Sequence, residues 1–214
     1  IIENSQALII NANGTFDLNN FNQNVNNLTG TGQVELGSAT LTVTNDVLSE
    51  FSGNISGMGS LVKEGSGNLI LSGSNIYDGD TTINTGRLTA TGGDALGGGI
   101  VNNNDELELR FNNDSTVTNQ ITGGGDLYKT GTGNAVLTAA NSAGGNVNVN
   151  AGQLTLAQNG DFTASGDFTT ANSATTALGG GASLTVNGTF TQNSDAALNI
   201  DLSGRTSTDA IINT

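Results

Sequence analysis

Gly59-Ser-Leu-Val-Lys63-Glu-Gly65-Ser-Gly67-Asn68-Leu-Ile-Leu71 aligns without a gap on Gly125-Asp-Leu-Tyr-Lys129-Thr-Gly131-Thr-Gly133-Asn134-Ala-Val-Leu137, 66 positions further along. The offset holds upstream, where Ile55-Ser-Gly57 meets Ile121-Thr-Gly123. It also holds downstream, where Asn84-Thr-Gly86-Arg-Leu88-Thr89 meets Asn150-Ala-Gly152-Gln-Leu154-Thr155. Leu41 and Val43 fall on Leu107 and Leu109 by the same shift. One 66-residue unit is therefore used twice, and repetition of this kind points to stacked units that each bury an apolar face against the next.

Inside the unit, apolar residues come in short alternating groups such as Leu41-Thr-Val43, Leu69-Ile-Leu71 and Leu107-Glu-Leu109. That is the pattern of half-buried strands, and Gly, Asn and Asp turn signals separate them. No segment carries the spacing of a long amphipathic helix. A sandwich, a barrel or a parallel solenoid could each use many short strands. The gapless offset favours the solenoid, whose coils stay in register only if their strands recur at matched intervals. The expected fold is all-β, a right-handed parallel β-helix of about 22 residues per coil, three coils to a unit and nine to ten coils in the chain. Alternate Leu, Val, Ile and Phe would fill a narrow core, while Thr, Ser and Asn face outward and pair with their equivalents about 4.8 Å along the axis. The chain contains no proline, as a stack that needs every ladder hydrogen bond requires.

Composition excludes several classes of function. The net charge of −14 comes from 19 acidic residues against only Lys63, Arg87, Arg110, Lys129 and Arg205. No basic patch for nucleic acid can be assembled from five scattered cations, and anionic lipid is disfavoured for the same reason. With no His and no Cys, a His-dependent triad, a Cys nucleophile, a disulfide and any His- or Cys-ligated metal are excluded. No Gly-x-Ser-x-Gly elbow occurs. No apolar run approaches the roughly 20 residues that span a bilayer, and Ile1-Ile2-Glu3 is no signal peptide, so export would require a longer chain.

The stretch from Gly59 to Leu88, with Lys63, Gly65, Gly67, Leu71, Gly73, Asn75, Tyr77, Gly79, Thr81, Ile83, Gly86 and Leu88 at alternating intervals, closely resembles the passenger-associated repeat of bacterial autotransporters. The copy from Gly125 to Leu154 resembles it with decay: Ala143 stands where Tyr77 stands, and Val147 where Thr81 stands. The segment from Gly14 through Leu18, Asn22-Gln23 and Leu28 to Val43 is similar to the block that precedes this repeat in the same family. Together the matches span residues 12–156. The tail, 182–214, with Leu184 to Phe190 and Leu198 to Leu202, resembles the passenger region that leads towards an autochaperone segment and a membrane β-barrel. The resemblance, to pertactin-like and AIDA-like passengers, implies that residues 1–214 are a single β-helical passenger segment. It also implies secretion through the outer membrane of a Gram-negative bacterium by the type V route, with display at the cell surface or release, and a covalently linked C-terminal barrel that this chain lacks.

Candidate sites each carry a simpler structural reading. Asp105-Glu106-Leu-Glu108-Leu-Arg110 is the densest charge cluster. Alternation turns Leu107, Leu109 and Phe111 inward and leaves Glu106, Glu108 and Arg110 in an outer row. Paired carboxylates could serve glycoside hydrolysis, but a solvated strand face that discourages lateral aggregation accounts for them more simply. The first-copy equivalents of Glu106 and Glu108 are Thr40 and Thr42, so the charges are not part of the repeat. Gly92-Gly-Asp94 and Gly123-Gly-Gly-Asp126 lack the tandem nine-residue continuation of a calcium β-roll and read as corners, as do Gly97-Gly-Gly99 and Gly179-Gly-Gly181. Lys63 and Lys129 share a repeat position, which duplication alone explains.

The sequence thus leads to a non-enzymatic surface passenger, with no cofactor or metal, acting in adhesion or cell-to-cell association through distributed polar contacts. Its partner would be a host surface protein or glycan, or another passenger; no nucleic acid and no direct membrane insertion are expected. A purely structural stem supporting an upstream effector is the alternative. A carbohydrate-active enzyme or phage tailspike is a further one, and it would need Glu106 and Glu108 to line a groove with aromatic platforms.

Overall fold

Thr, Val, Ile and Leu alternate over three to five residues before a Gly or Asx turn intervenes, a length that suits one side of a coil. The computed structural model describes residues 7–158, 160–203 and 212–213. Among them every strand pairing given is parallel, and the chain winds as a right-handed β-helix, the sense that strand twist imposes on parallel crossovers. The one helical element among the described residues is a 3₁₀ turn, Gly93–Leu96. The chain divides into two compact units, Ile1–Leu107 and Glu108–Thr214, which together supply about ten turns.

In the first unit each coil has three sides. Leu8–Ile10, Leu28–Gly30, Ser49–Phe51, Asn68–Leu71 and Arg87–Ala90 stack on one side. Thr15–Asp17, Gln33–Glu35, Asn54–Gly57 and Ile76–Tyr77 form the second. Gln23–Asn26, Thr40–Thr44, Ser60–Glu64, Thr81–Ile83 and Val101–Asn103 form the third. The second unit repeats the plan. One side carries Asp126–Thr130, Val147–Val149, Phe168–Thr170 and Phe190–Gln192, and another carries Ser115–Val117, Asn134–Leu137, Gln153–Leu156, Thr175–Leu178 and Ala197–Ile200. A third holds Asn141–Ala143, Asp161–Ala164, Ser183–Val186 and Ile212–Asn213. The tail is thus described to residue 203 and at 212–213; the rest of 182–214, and residues 1–6, lie outside the described residues.

Many inward residues meet a like residue one coil on. Leu41 lies over Leu61, Leu69 over Leu88, and the Phe168 and Phe190 rings stack 5.7 Å apart at 24°. Leu41, Leu61, Leu69, Leu88, Phe162 and Phe168 are all shut off from solvent, so the core is a column of side chains running along each stack.

Coil length departs from the expected interval in an informative way. Register partners in the first unit are 18 residues apart for Gln23 and Leu41, 20 for Leu61 and Thr81, and 21 for Gln33 and Asn54. The interval of 22 is met in the second unit, by Gln153 with Thr175 and Thr175 with Ala197. Both copies of the motif sit on coils of 20 and 19: Leu61 with Thr81 and Asn68 with Arg87, then Leu127 with Val147 and Asn134 with Gln153. The 66-residue repeat is therefore longer than three of these coils. Only the strands must keep register, and the turns between them absorb a residue or two.

Candidate functional site

The most distinctive arrangement in each unit is built on a lysine. Ser60–Glu64 alternates, so Lys63 follows Leu61 inward, and its side chain is fully buried. At the end of the strand the chain turns through Gly65, at φ 79°, into Asn68–Leu71. The next coil turns at the same corner through Gly86, at φ 73°, a conformation that side chains with a Cβ rarely adopt. Lys63 reaches along the core and its Nζ donates to the backbone oxygens of Glu64 (2.7 Å), Gly65 (2.7 Å) and Thr85 (3.0 Å). The Glu64 oxygen also receives the Asn45 N–H, whereas the oxygens of Gly65 and Thr85 have Lys63 as their donor. The lysine thus ties two successive turns together.

Lys129 does the same in the second unit. It is fully buried and donates to Thr130 O (2.7 Å), Gly131 O (3.0 Å) and Ala151 O (3.2 Å), with Gly131 and Gly152 at positive φ. Burial lowers the pKa of both lysines from the usual 10.5 to about 8. Asp46, Glu64 and Asp105 partly offset this at Lys63, and Asp114 at Lys129. Duplication explains why two lysines recur, but not why they are lysines; the corner carbonyls do. Strand alternation carries the clue, since a charged residue in phase with Leu61 has to find partners inside.

A second repeated clamp is Asn75 and its equivalent Asn141, both buried. Asn75 Oδ1 accepts the Ile55 N–H at 2.9 Å while its Nδ2 donates to Ala95 O at 2.7 Å. Asn141 Oδ1 accepts the Ile121 N–H at 2.7 Å and its Nδ2 donates to Ala139 O at 2.6 Å.

Outside the Lys63 corner lies an open cleft of about 600 Å³. Residues 66–68 and 85–87, from two stacked turns, line it together with Asp105 and Glu106. Arg87 Nε donates to Glu106 Oε2 at 2.7 Å, with both side chains about a third exposed, and Asp105 Oδ2 accepts the Gly86 N–H at 2.6 Å.

The remaining candidates take structural places. Leu107, Leu109 and Phe111 point inward as alternation requires. Glu106 is held by Arg87. Glu108 does not stand in a solvated outer row: it is buried, and its Oε1 accepts the Thr130 hydroxyl at 2.6 Å. The Thr130 hydroxyl one coil on takes up its carboxylate, so the side chain lies along the stack rather than standing out from it. Asp94 belongs to the 3₁₀ turn, while Asp126 caps the next coil by accepting the Asn146 N–H at 2.6 Å. Gly97 faces the Tyr77 ring and Gly181 turns at φ 73°. No group of three or more metal-capable side chains occurs among the described residues.

Comparison with known proteins agrees with this geometry. The passenger-associated-transport-repeat family matches residues 61–90 and 127–156, the two five-strand segments that carry the lysine clamps. The chain is 35% identical over 161 residues to the adhesin BmaC autotransporter of Brucella suis biovar 1 (strain 1330), an alignment covering 58% of this chain and 4% of that protein. It therefore spans a small fraction of the length of this relative. No solved structure matches the chain.

Proposed function

Because the chain is an autotransporter passenger segment, from the surface-displayed or secreted part of a Gram-negative bacterial protein, we propose that it serves adhesion as a β-helical stalk whose flat sides make many weak contacts. The observation that carries this reading is a column on the third side of the first unit. Asn24, Thr42, Val62, Thr82 and Asn102 stand in register over five successive coils, small, uncharged and facing outward. In so acidic a chain this strip offers a level surface on which another protein, a glycan or a second passenger can lie without opposing a charge. Affinity there comes from multiplicity rather than from one anchor.

Cells displaying this segment should attach or settle faster than cells displaying none. Thr42→Ala alone should change attachment by less than about twofold, whereas Thr42→Glu with Thr82→Glu should abolish it. A single alanine that eliminates attachment would overturn the distributed picture.

One set of contacts favours the stem reading instead. Many outward polar groups are used between coils: Asn24 accepts from the Thr44 hydroxyl, Asn84 donates to Glu64, and Asn146 and Asp167 each cap a backbone N–H one coil on. If displayed cells neither attach nor clump, the segment is stem.

A further inference from the structure

We propose that the cleft over the Lys63 corner is a binding subsite for one neutral sugar ring of a glycan, an inference that rests on the adhesion reading for its biological sense. Two of its lining residues, Gly67 and Gly86, bring no side chains, and any Cβ at Gly86 would meet Gly65 O at 2.3 Å. About 600 Å³ of open space there suits a small ligand. The polar lining is pre-set, because the Arg87 to Glu106 bond fixes both side chains and the Gly86 N–H fixes Asp105. One oxygen of each carboxylate, Asp105 Oδ1 and Glu106 Oε1, stays outside these bonds, and Asn68, whose Oδ1 accepts from Thr89, keeps its amide N–H. Two acceptors and an amide donor around a charge-balanced pair match adjacent hydroxyls, which both donate and accept.

The two repeat copies sharpen the assignment. The second keeps the corner whole, with Lys129, Gly131, Gly133, Asn134 and Gly152. There the Thr175 N–H meets Gly152 O just as the Glu106 N–H meets Gly86 O. Gln153, Ala174 and Thr175 thus stand where Arg87, Asp105 and Glu106 stand in the first copy. The corner folds without these three charges, so their presence in one copy is not a demand of the fold.

The test is amide NMR of the ¹⁵N-labelled chain titrated with methyl glycosides of glucose, galactose, mannose and N-acetylglucosamine. At least one should shift the Gly67 and Gly86 amides saturably. The triple variant Arg87→Gln, Asp105→Ala, Glu106→Thr, which imports the second-copy residues and should give an otherwise native spectrum, should bind it at least about tenfold more weakly. No saturable shift at tens of millimolar, equal binding by the variant, or saturation by methylammonium in place of every glycoside would each overturn the subsite. Cells that still attach when glycoside binding fails would leave the adhesion reading standing. Glycoside binding by a segment that does not attach would sink adhesion alone.

Discussion

At the scale of single residues, the lysine clamps make the firmest predictions. Lys63→Met keeps the apolar stem but leaves the carbonyls of Gly65 and Thr85 without a protein donor, so the first unit should lose about 1–3 kcal/mol, read as a lower urea midpoint. The clamp also has a pH signature. The folded pKa of about 8 lies below the unfolded 10.5, so between those values the unfolded chain holds more protons. Lys63 therefore supports the fold more as pH rises from about 8 to 10.5 and least below about 8. The midpoint of the wild-type chain relative to Lys63→Met should climb across that window; a flat or falling difference would contradict the assignment. Tyr77 and Thr81 form a second legible pair. The Tyr77 hydroxyl, which burial pushes well above the ordinary phenol pKa, bonds Thr81, and Thr81 in turn donates to Leu96 O. In the second copy Ala143 and Val147 replace both partners. The two changes are coupled, because the tyrosine hydroxyl alone would be buried without its threonine partner. Thr81→Val should cost about 1–3 kcal/mol, and less when Tyr77→Phe accompanies it, a non-additivity that a double-mutant cycle in urea measures.

At the scale of the element, the turns decide where glycine is obligatory. Gly32, Gly53 and Gly73 stack at one corner so closely that a Cβ on Gly53 would sit 1.8 Å from Gly32 O, and one on Gly73 1.8 Å from Gly53 O. Gly73→Ala should force the corner apart and cost several kcal/mol or prevent folding. Gly92 and Gly124 have open space around a Cβ and no positive φ, so Gly92→Ala should be neutral or stabilise by about 0.4–1 kcal/mol. Circular dichroism melts of the two variants test the contrast. In the sequence all of these glycines look alike. The strands, by contrast, are legible almost in full from alternation: Leu41-Thr-Val43 lies in Thr40–Thr44 and Leu69-Ile-Leu71 in Asn68–Leu71. Glu108 departs from the expected outer row because alternation gives only the face a side chain leaves from, not whether its neighbours leave it a path to water.

At the scale of the whole molecule, a stack of coils should tolerate loss of a coil better than loss of a fraction. Deleting residues 61–80 joins Ser60 to Thr81, which occupies the register position of Leu61. That chain should keep a parallel-β spectrum and a cooperative melt, whereas deleting 61–70 should abolish both, because it sets apolar sides against turns. The repeat is legible in the amino-acid sequence alone because duplication preserves order along the chain. So are the parallel β-helix and the exclusion of a basic patch and of thiol and imidazole chemistry, which follow from repeat, strand period and residue count. The coil length, the carbonyls that Lys63 and Lys129 satisfy, and the meeting of Arg87, Asp105 and Glu106 over two glycines are settled only by the tertiary structure. Those contacts join residues about 20 apart, and the flexible count of turn residues, invisible in a one-dimensional period, sets which of them meet.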